Sequence, residues 1–312
     1  MLVHPLLRTR FHLPPPKRPF SPPVKHLCYT WKVTVCVAAI CDQRRSLVLA
    51  TDQMIDFGSQ FSGDGIVLKL SGIHSHWVAM FAGFDPTQAQ PVLRGAWDRL
   101  DGVERHSLDA VERVVVEAYR NRLRRQQIDS VISQYGFDDF ESFKKEGREM
   151  LGRYFSTVQK RIESVSLNCD LLIGGFDDHG TPHLLKVEHP GVSGHYDMLG
   201  FAAIGSGADA TNNSLAFHSF NNRISLGLAI YYICAAKFMS EGTHGVGKNT
   251  SVVVGRIVDN NKVRWVEMSD LKLKEMRQIW EDKGRPRAPD GIEKSIADSI
   301  EDDSAFRLLF MR

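Results

Sequence analysis

Three side chains that could do chemistry together occur in the first quarter of the chain: the Thr34 hydroxyl, the Asp52 carboxylate and the Lys69 ammonium. A hydroxyl is a poor nucleophile near neutral pH, so a reaction at Thr34 needs one group to take its proton and another to hold negative charge. A lysine beside a buried aspartate can supply positive charge, because the opposite charge keeps the ammonium protonated despite the loss of hydration. These residue types predict nucleophilic chemistry if the fold brings them together.

Two short apolar runs must position Thr34 and Asp52. The first, residues 34–41, has the sequence Thr-Val-Cys-Val-Ala-Ala-Ile-Cys, and the second, residues 46–52, has the sequence Ser-Leu-Val-Leu-Ala-Thr-Asp. The four polar or charged residues between the runs predict a tight turn, so the segment is expected to be a hairpin of two buried strands. Thr34 opens the first strand and Asp52 ends the second.

Further residues extend this pattern along the chain. Lys69 follows Asp52 by seventeen residues, Gly83 follows Lys69 by fourteen, and Ser206 lies much later within a Gly-Ser-Gly sequence. In this order and at these intervals the motifs resemble the proteasome-type subunits of the N-terminal-nucleophile hydrolases, over roughly residues 34–268. The resemblance implies an α+β fold in the form of a four-layer αββα sandwich. The predicted order of strands, two helices, strands, two helices and strands agrees with that architecture.

The resemblance also implies a role for each of these residues. Thr34 is the expected nucleophile, provided that it is the first residue of the active protein, because its own α-amino group is then the base. Lys69 would stabilise the alkoxide that forms on Thr34, and Asp52 would keep Lys69 charged and oriented. The amide of Gly83 would receive the oxyanion, and Ser206 would lie beside the nucleophile.

The implied function is a threonine-type amide hydrolase or peptidase, but one departure leaves an alternative open. Gly245 falls where the family carries an aspartate that supports the serine and the threonine amine, and His244 is its neighbour. The alternative is a catalytically inactive proteasome-like subunit that serves as a scaffold or assembly partner.

The expected partners are a peptide or small amide substrate and further copies of the chain in rings. Apolar residues expected on outer helix faces, namely Trp97, Tyr119 and Phe143, support self-association.

Residues 1–33 differ from the rest of the chain. The first 32 positions hold seven of the thirteen prolines and six basic residues but no acid, without helical or strand periodicity, so this segment is expected to be disordered. We interpret it either as a propeptide or as upstream sequence included by too early a choice of start. Residues 34–268 are expected to be the proteasome-like domain, with one charged helical insertion at about 132–160, and residues 269–312 a helical tail.

The composition excludes several classes of function. A formal charge of +2 over 312 residues indicates no nucleic-acid or membrane surface, and no apolar run reaches the ~20 residues needed to cross a bilayer. Five cysteines without close paired spacing favour a reducing compartment, so a cytoplasmic protein is expected. The histidines form no His-x-x-x-His pattern on a predicted helix with a nearby acid, and no Cys-x-x-Cys occurs, so neither a metal nor another cofactor is expected.

Overall fold

The computed structural model describes most of the chain from Thr34 onward. The described residues are 34–56, 62–65, 67–83, 86–101, 103, 106–258 and 261–301. Residues 1–33, for which the sequence predicts disorder, lie outside the described residues, and so does the end of the tail.

Two five-stranded antiparallel sheets contain most of the strands. In spatial order, the first sheet consists of β10 (Phe201–Gly205), β1 (Val35–Cys41), β2 (Ser46–Asp52), β11 (Thr250–Val258) and β12 (Lys262–Glu267). The second consists of β5 (Leu70–His74), β6 (Trp77–Gly83), β7 (Cys169–Phe176), β8 (Pro182–Glu188) and β9 (Val192–His195). A short separate ladder pairs β3 (Ile55–Asp56) with β4 (Ser62–Gly63).

The helices occur mostly in pairs between the strands. They are α1 (Pro86–Leu100), α2 (Leu108–Ser130), α3 (Phe140–Leu151), α4 (Phe155–Glu163), α5 (Ala208–Phe217), α6 (Leu226–Ser240), α7 (Asp270–Ile279) and α8 (Ile292–Glu301). Ser107 caps α2 by accepting a hydrogen bond from the amide of Ala110, a role that serine often takes at a helix N-terminus. Helices together with two antiparallel sheets confirm the predicted α+β class.

The hairpin predicted at residues 34–52 is formed by β1 and β2, and every residue of both strands is buried. Alternate side chains of a strand point to opposite faces. Val37 and Ala39 accordingly pack into one hydrophobic cluster, while Cys36 and Ala38 pack into another. A hairpin that is apolar on both faces needs a packed layer on each side.

Three hydrophobic clusters give the order of the layers. The first, which we call the outer cluster of the first sheet, joins β1 and β2 to α5 and α6 and includes Val37 and Ile233. The second fills the space between the sheets, where Leu49 of the first sheet shares a cluster with Leu172 of the second. The third joins the second sheet to α1 and α2 and includes Val115. The layers therefore follow the order helices, sheet, sheet, helices.

The charged insertion contains two helices rather than the single one expected. α3 ends at Leu151 and is capped by Gly152, whose φ of +52° is a conformation that favours glycine, and α4 begins after a short 3-10 turn. A separate small core holds them, formed by Val131, Ile132, Phe137, Phe143, Val158 and Ile162. Phe143 and Tyr119 are buried, so the prediction that they lie on outer faces is wrong, whereas Trp97 is 45% exposed.

The tail begins with α7, which is continued by a π-helical turn over Trp280–Gly284. Leu273 and Trp280 pack into the outer cluster of the first sheet, so α7 is anchored to the sheet that carries Thr34 and Asp52. No helix in the described part of the chain has both the length and the apolar character needed to span a membrane.

Candidate active site

Asp52, the last residue of β2, accepts hydrogen bonds from two functional side chains on one carboxylate oxygen. The hydroxyl of Thr34 donates to Asp52 Oδ1 at 2.5 Å, and the ammonium of Lys69 donates to the same oxygen at 2.8 Å. The amide of Val35 lies 3.4 Å from it. Thr34 and Asp52 are fully buried and Lys69 is 4% exposed. The charges therefore interact away from bulk water, where electrostatic interactions are strengthened.

The strand ends bring these side chains together. Thr34 lies immediately before β1, which pairs antiparallel with β2, so the start of β1 and the end of β2 share one end of the first sheet. Lys69 lies immediately before β5 in the facing sheet, and its contact with Asp52 crosses from one sheet to the other. The structure thus places Thr34, Asp52 and Lys69 where the sequence analysis expected them to meet.

The second carboxylate oxygen of Asp52 binds the loop that follows Gly245, the position of the departure from the family pattern. The amide of Gly247 donates to Asp52 Oδ2 at 2.9 Å. On the other side of this loop, the amides of Lys248 and Asn249 donate to Asp64 Oδ2 at 2.6 and 2.9 Å. Both oxygens of Asp52 therefore face donors, which fixes the orientation of its side chain.

Lys237 is a buried lysine that the sequence analysis missed. Its ammonium donates to the carbonyl oxygen of Gly247 at 2.7 Å and to Glu241 Oε1 at 2.6 Å. Burial lowers the pKa of Lys237, and the negative charge of Glu241 acts in the opposite direction. The sequence does contain an indication of this buried site. Lys237 is the one charged residue in the apolar sequence of α6, and a lysine there needs buried acceptors.

Arg277 connects the helical tail to the same loop. Its guanidinium donates to both carboxylate oxygens of Glu241 at 2.8 and 2.7 Å, and to the carbonyl oxygen of Lys248 at 2.8 Å. The hydrogen bond to Glu241 raises the pKa of Arg277. Lys237, Glu241 and Arg277 form a network, here called the loop clamp, that holds residues 247–248 beside Asp52.

Ser206 lies beside Thr34, as predicted. The backbone amide of Thr34 donates to Ser206 Oγ at 3.3 Å, and the Ser206 hydroxyl lies 3.1 Å from the carbonyl oxygen of His244. A Cβ on Gly205, whose φ is +96°, would collide with the carbonyl group of Thr34, so this close approach requires glycine. His244 thus reaches Ser206 through its backbone, and Gly245 follows with a φ of +82°.

Gly83 ends β6 and pairs with Cys169 of β7. A Cβ on Gly83 would collide with the backbone of Asn168 and Cys169, so the close packing of these strands is by itself a sufficient reason for glycine. The Cys36 thiol donates to the carbonyl oxygen of Phe81 at 3.3 Å, which places the end of β6 against the start of β1. The contribution of the Gly83 amide to an oxyanion site stays a prediction.

Cys36 lies close to the site but is unsuited to act as a nucleophile. Burial raises the pKa of its thiol to about 12, even though the positive charge of Lys69 acts to lower it. The reactive form of cysteine is the thiolate, so Cys36 is inert near neutral pH. Of these two side chains, the Thr34 hydroxyl is the one that donates to the Asp52 carboxylate.

A groove with a volume of about 790 Å³ opens beside the segment that carries Lys69. Most of its lining is apolar, and Arg94 and Asp98 add one charge of each sign. The lining residues are Ile55, Val67, Leu68, Leu70, Ser71, Gly72, Phe81, Thr87, Gln90, Leu93, Arg94, Trp97 and Asp98.

Comparison with known proteins shows the fold. No protein-family model matches the chain, and no curated protein matches it. Among solved structures, the chain is similar to the Anbu (Gly-1) mutant from Hyphomicrobium sp. strain MC1, with a TM-score of 0.55 and 17% identity, covering 88% of this chain and 100% of the other. That neighbour is a proteasome-like protein of the N-terminal-nucleophile hydrolase type. At this identity the likeness shows a distant proteasome-like fold alone.

Proposed function

We propose that the chain is a threonine-type amide hydrolase with Thr34 as its nucleophile. The observation that carries this proposal is the convergence of the Thr34 hydroxyl and the Lys69 ammonium on Asp52 Oδ1. A fixed positive charge beside a hydroxyl stabilises the alkoxide that forms when the proton leaves, and a preorganised charge needs no rearrangement during the reaction. Asp52 holds both groups in place.

The proposed base is the α-amino group of Thr34, which exists only after residues 1–33 are removed. In the intact chain Thr34 has an amide nitrogen, which has no basic lone pair and which donates to Ser206. A free α-amino group has a reference pKa of about 7.7 to 8.0, so a useful fraction is neutral at physiological pH. The φ of Thr34 is 139°, which β-branched residues rarely adopt, and this constraint ends when the bond to Val33 is cleaved.

In the proposed reaction, the α-amino group takes the hydroxyl proton while Oγ1 of Thr34 attacks the carbonyl carbon of the substrate. The carbonyl oxygen becomes an oxyanion, for which the Gly83 amide is the proposed donor. Breakdown of this intermediate delivers the proton to the leaving amine and leaves an ester on Thr34. Water then attacks the ester with the α-amino group again as base, which releases the acid product and restores the hydroxyl.

The groove beside Lys69 is the proposed place for a substrate side chain. Its mostly apolar lining favours a peptide with an apolar residue next to the bond that is cleaved.

We also propose that several copies of the chain assemble, as the resemblance to ring-forming subunits implies. A single species of 35.1 kDa in sedimentation would contradict assembly.

The test compares the full chain with a form that begins at Thr34, released from a cleavable fusion so that no extra residue remains. The truncated form is expected to hydrolyse fluorogenic peptides and to react with a peptide epoxyketone, which needs both the hydroxyl and the free amine of a terminal threonine. Thr34→Ser should keep activity and Thr34→Ala should lose it. Hydrolysis that survives Thr34→Ala, or an inert truncated form, would contradict the proposal.

The second candidate is an inactive scaffold, and the observation that favours it is Gly245. At the place where the family carries an acid, this chain has a glycine at a φ of +82°, and the Ser206 hydroxyl donates to the backbone carbonyl of His244 there. On this alternative, the form that begins at Thr34 assembles into particles of the same size but neither reacts with the epoxyketone nor hydrolyses peptides.

A further inference from the structure

Three histidines meet at the end of the sandwich opposite Thr34. His74 ends β5, His76 lies in the turn that leads into β6, and His106 directly precedes Ser107, the cap of α2. One ring nitrogen from each lies within 4.8 Å of the other two. Gly83 is at the far end of β6 from this cluster, which corresponds to roughly 20 Å at the rise of an extended strand. It is therefore distinct from the candidate active site.

We propose that this three-histidine cluster binds a divalent transition-metal ion of the zinc class. Imidazole nitrogens suit zinc, nickel and copper, whereas magnesium and calcium prefer oxygen ligands. Tetrahedral ligands at 2.0–2.1 Å from zinc lie about 3.4 Å apart, so small side-chain rotations would bring the three nitrogens to bonding positions. Three protein ligands leave the fourth position to water.

His106 gives the strongest indication of a missing partner. Both of its ring nitrogens are buried, and neither has a hydrogen-bond partner among the residues that the structure describes. Nδ1 lies 3.2 Å from Asp178 Oδ1, but not in a hydrogen-bonding geometry. The side chain is only 12% exposed. A buried polar group without a partner is destabilising, and native proteins rarely leave one. A metal ion would supply that partner.

The other two rings are oriented by hydrogen bonds, and His74 Nδ1 accepts one from the His76 amide at 3.3 Å. His76 Nε2 lies 2.8 Å from the carbonyl oxygen of Asn261. A carbonyl can only accept, so Nε2 carries the proton, and the lone pair of Nδ1 accepts from the Ser75 hydroxyl at 2.9 Å, a bond that a metal ion would replace. This pattern, in which the second ring nitrogen donates to a backbone carbonyl, is usual for metal-binding histidines. Burial and the neighbouring imidazoles lower the pKa of His74, and burial and His76 lower that of His106, which favours the neutral form that binds metals.

The surrounding contacts indicate what a bound ion would do. Asp178, in the turn after β7, accepts a hydrogen bond from the His106 amide at 3.1 Å and, through its carbonyl, another from Asn261 at 2.9 Å. Trp77 donates to the His106 carbonyl at 3.1 Å. The cluster thus joins the turns of both sheets to the segment before α2. A metal ion here would cross-link these elements and stabilise this end of the fold.

The experiment measures zinc binding by the full chain after treatment with a chelator, by equilibrium dialysis and elemental analysis. After dialysis, the number of zinc ions bound per chain is expected to be higher by about one in the parent than in His106→Ala or His74→Ala. The control is His179→Ala, which removes an exposed histidine of the neighbouring turn and should bind zinc like the parent. Zinc should raise the thermal midpoint of the parent and of the control but not of the two variants, and magnesium should raise none.

Cobalt binding gives a second readout that needs no variant. Cobalt in the parent should give the intense visible absorption of a tetrahedral site, and zinc should displace it. The proposal is overturned if the parent binds no more zinc than His106→Ala and His74→Ala, or if bound cobalt has only the weak spectrum of an octahedral ion. Neither result depends on hydrolysis, so failure here leaves the proposed function of Thr34 untouched.

Discussion

Gly247 joins the buried ammonium of Lys237 to the buried carboxylate of Asp52: its carbonyl oxygen accepts from Lys237 at 2.7 Å, and its amide donates to Asp52 at 2.9 Å. The two bonds use opposite sides of one residue, so the position of Lys237 determines how the loop meets Asp52. Lys237 is therefore a positioning residue for the proposed site, although it is on a different element from each of the groups that would react.

Replacing Lys237 with methionine is expected to destabilise the protein and to slow hydrolysis. The Gly247 carbonyl would lose its buried donor, which corresponds to about 1–3 kcal/mol in the free energy of unfolding. Activity should fall because Asp52 is no longer held by a fixed loop. Urea denaturation and peptide hydrolysis measure the two effects. The control is Lys272→Met, which removes a lysine that is 52% exposed on α7 and should change stability by less than about 0.5 kcal/mol.

Replacing Lys69 with methionine is expected to lower kcat/KM by about 10²- to 10³-fold, the usual effect of removing a preorganised group that stabilises a transition state. The sheets should remain folded, because Asp52 keeps its bonds to Thr34 and Gly247. Hydrolysis by the form that begins at Thr34 and far-UV circular dichroism are the measurements. The exposed Lys262 on β12 provides the control variant Lys262→Met. Unchanged turnover in Lys69→Met would remove Lys69 from the mechanism.

The stability of the protein is expected to fall as the pH rises above the ordinary histidine range, because of His183. Its Nδ1 lies 2.6 Å from Asp197 and its Nε2 lies 3.3 Å from Asp177. Burial lowers the pKa of His183, but the hydrogen bonds and charges of Asp197 and Asp177 outweigh it, so the net shift is upward from 6.5. The folded state thus binds the proton more tightly than the unfolded state. The resulting contribution to the free energy of unfolding is complete below pH 6.5 and is lost as the pH rises through the raised pKa of His183.

Urea denaturation at several pH values, with a chelator present, tests the contribution of His183. The parent should lose free energy of unfolding above pH 6.5, and the loss should be smaller in His183→Gln. The exposed His179 supplies the control His179→Gln, whose profile should run parallel to that of the parent. Parallel profiles for His183→Gln and the parent would refute the assignment.

Truncating Phe143 is expected to loosen the charged insertion and little else. Phe143 stacks on Phe155 with ring centroids 5.2 Å apart and belongs to the separate core of α3 and α4. Phe143→Ala should destabilise that core by about 3–5 kcal/mol. Hydrogen exchange should accelerate over residues 137–163 and remain slow in β1 and β7. In the control Met150→Ala, which changes a side chain that is 62% exposed, exchange should match the parent.

The sequence predicts correctly those elements that are specified by residues close together in the chain. The β1–β2 hairpin follows from two apolar runs separated by turn residues, and the structure confirms it. The meeting of Thr34, Asp52 and Lys69 could also be predicted, because the positions at strand ends matched a known pattern.

Features that depend on contacts between distant segments could not be predicted in this way. The acceptors of Lys237 come from Glu241, one turn farther along, and from the loop at Gly247, so its partners appear only when the loop folds back. The three-histidine cluster joins a His-x-His sequence at residues 74–76 to His106, and no single-segment motif contains all three. The break in the insertion depended on one glycine, Gly152, within an otherwise continuous helical pattern.

Burial of both faces of β1 affects how Thr34, the proposed nucleophile, keeps its place before the strand. In a half-exposed strand, a slip of one residue is prevented because it would turn apolar side chains toward water. In β1 the same slip would move apolar residues from one buried face to the other, so the match of side-chain volumes and the tight turn to β2 prevent it. A slip would displace Thr34 by about 3.3 Å, beyond reach of Asp52. Steric fit in the core thus sets the alignment of the hydroxyl, and an apolar change such as Ala39→Leu would act on the reaction without touching any polar atom.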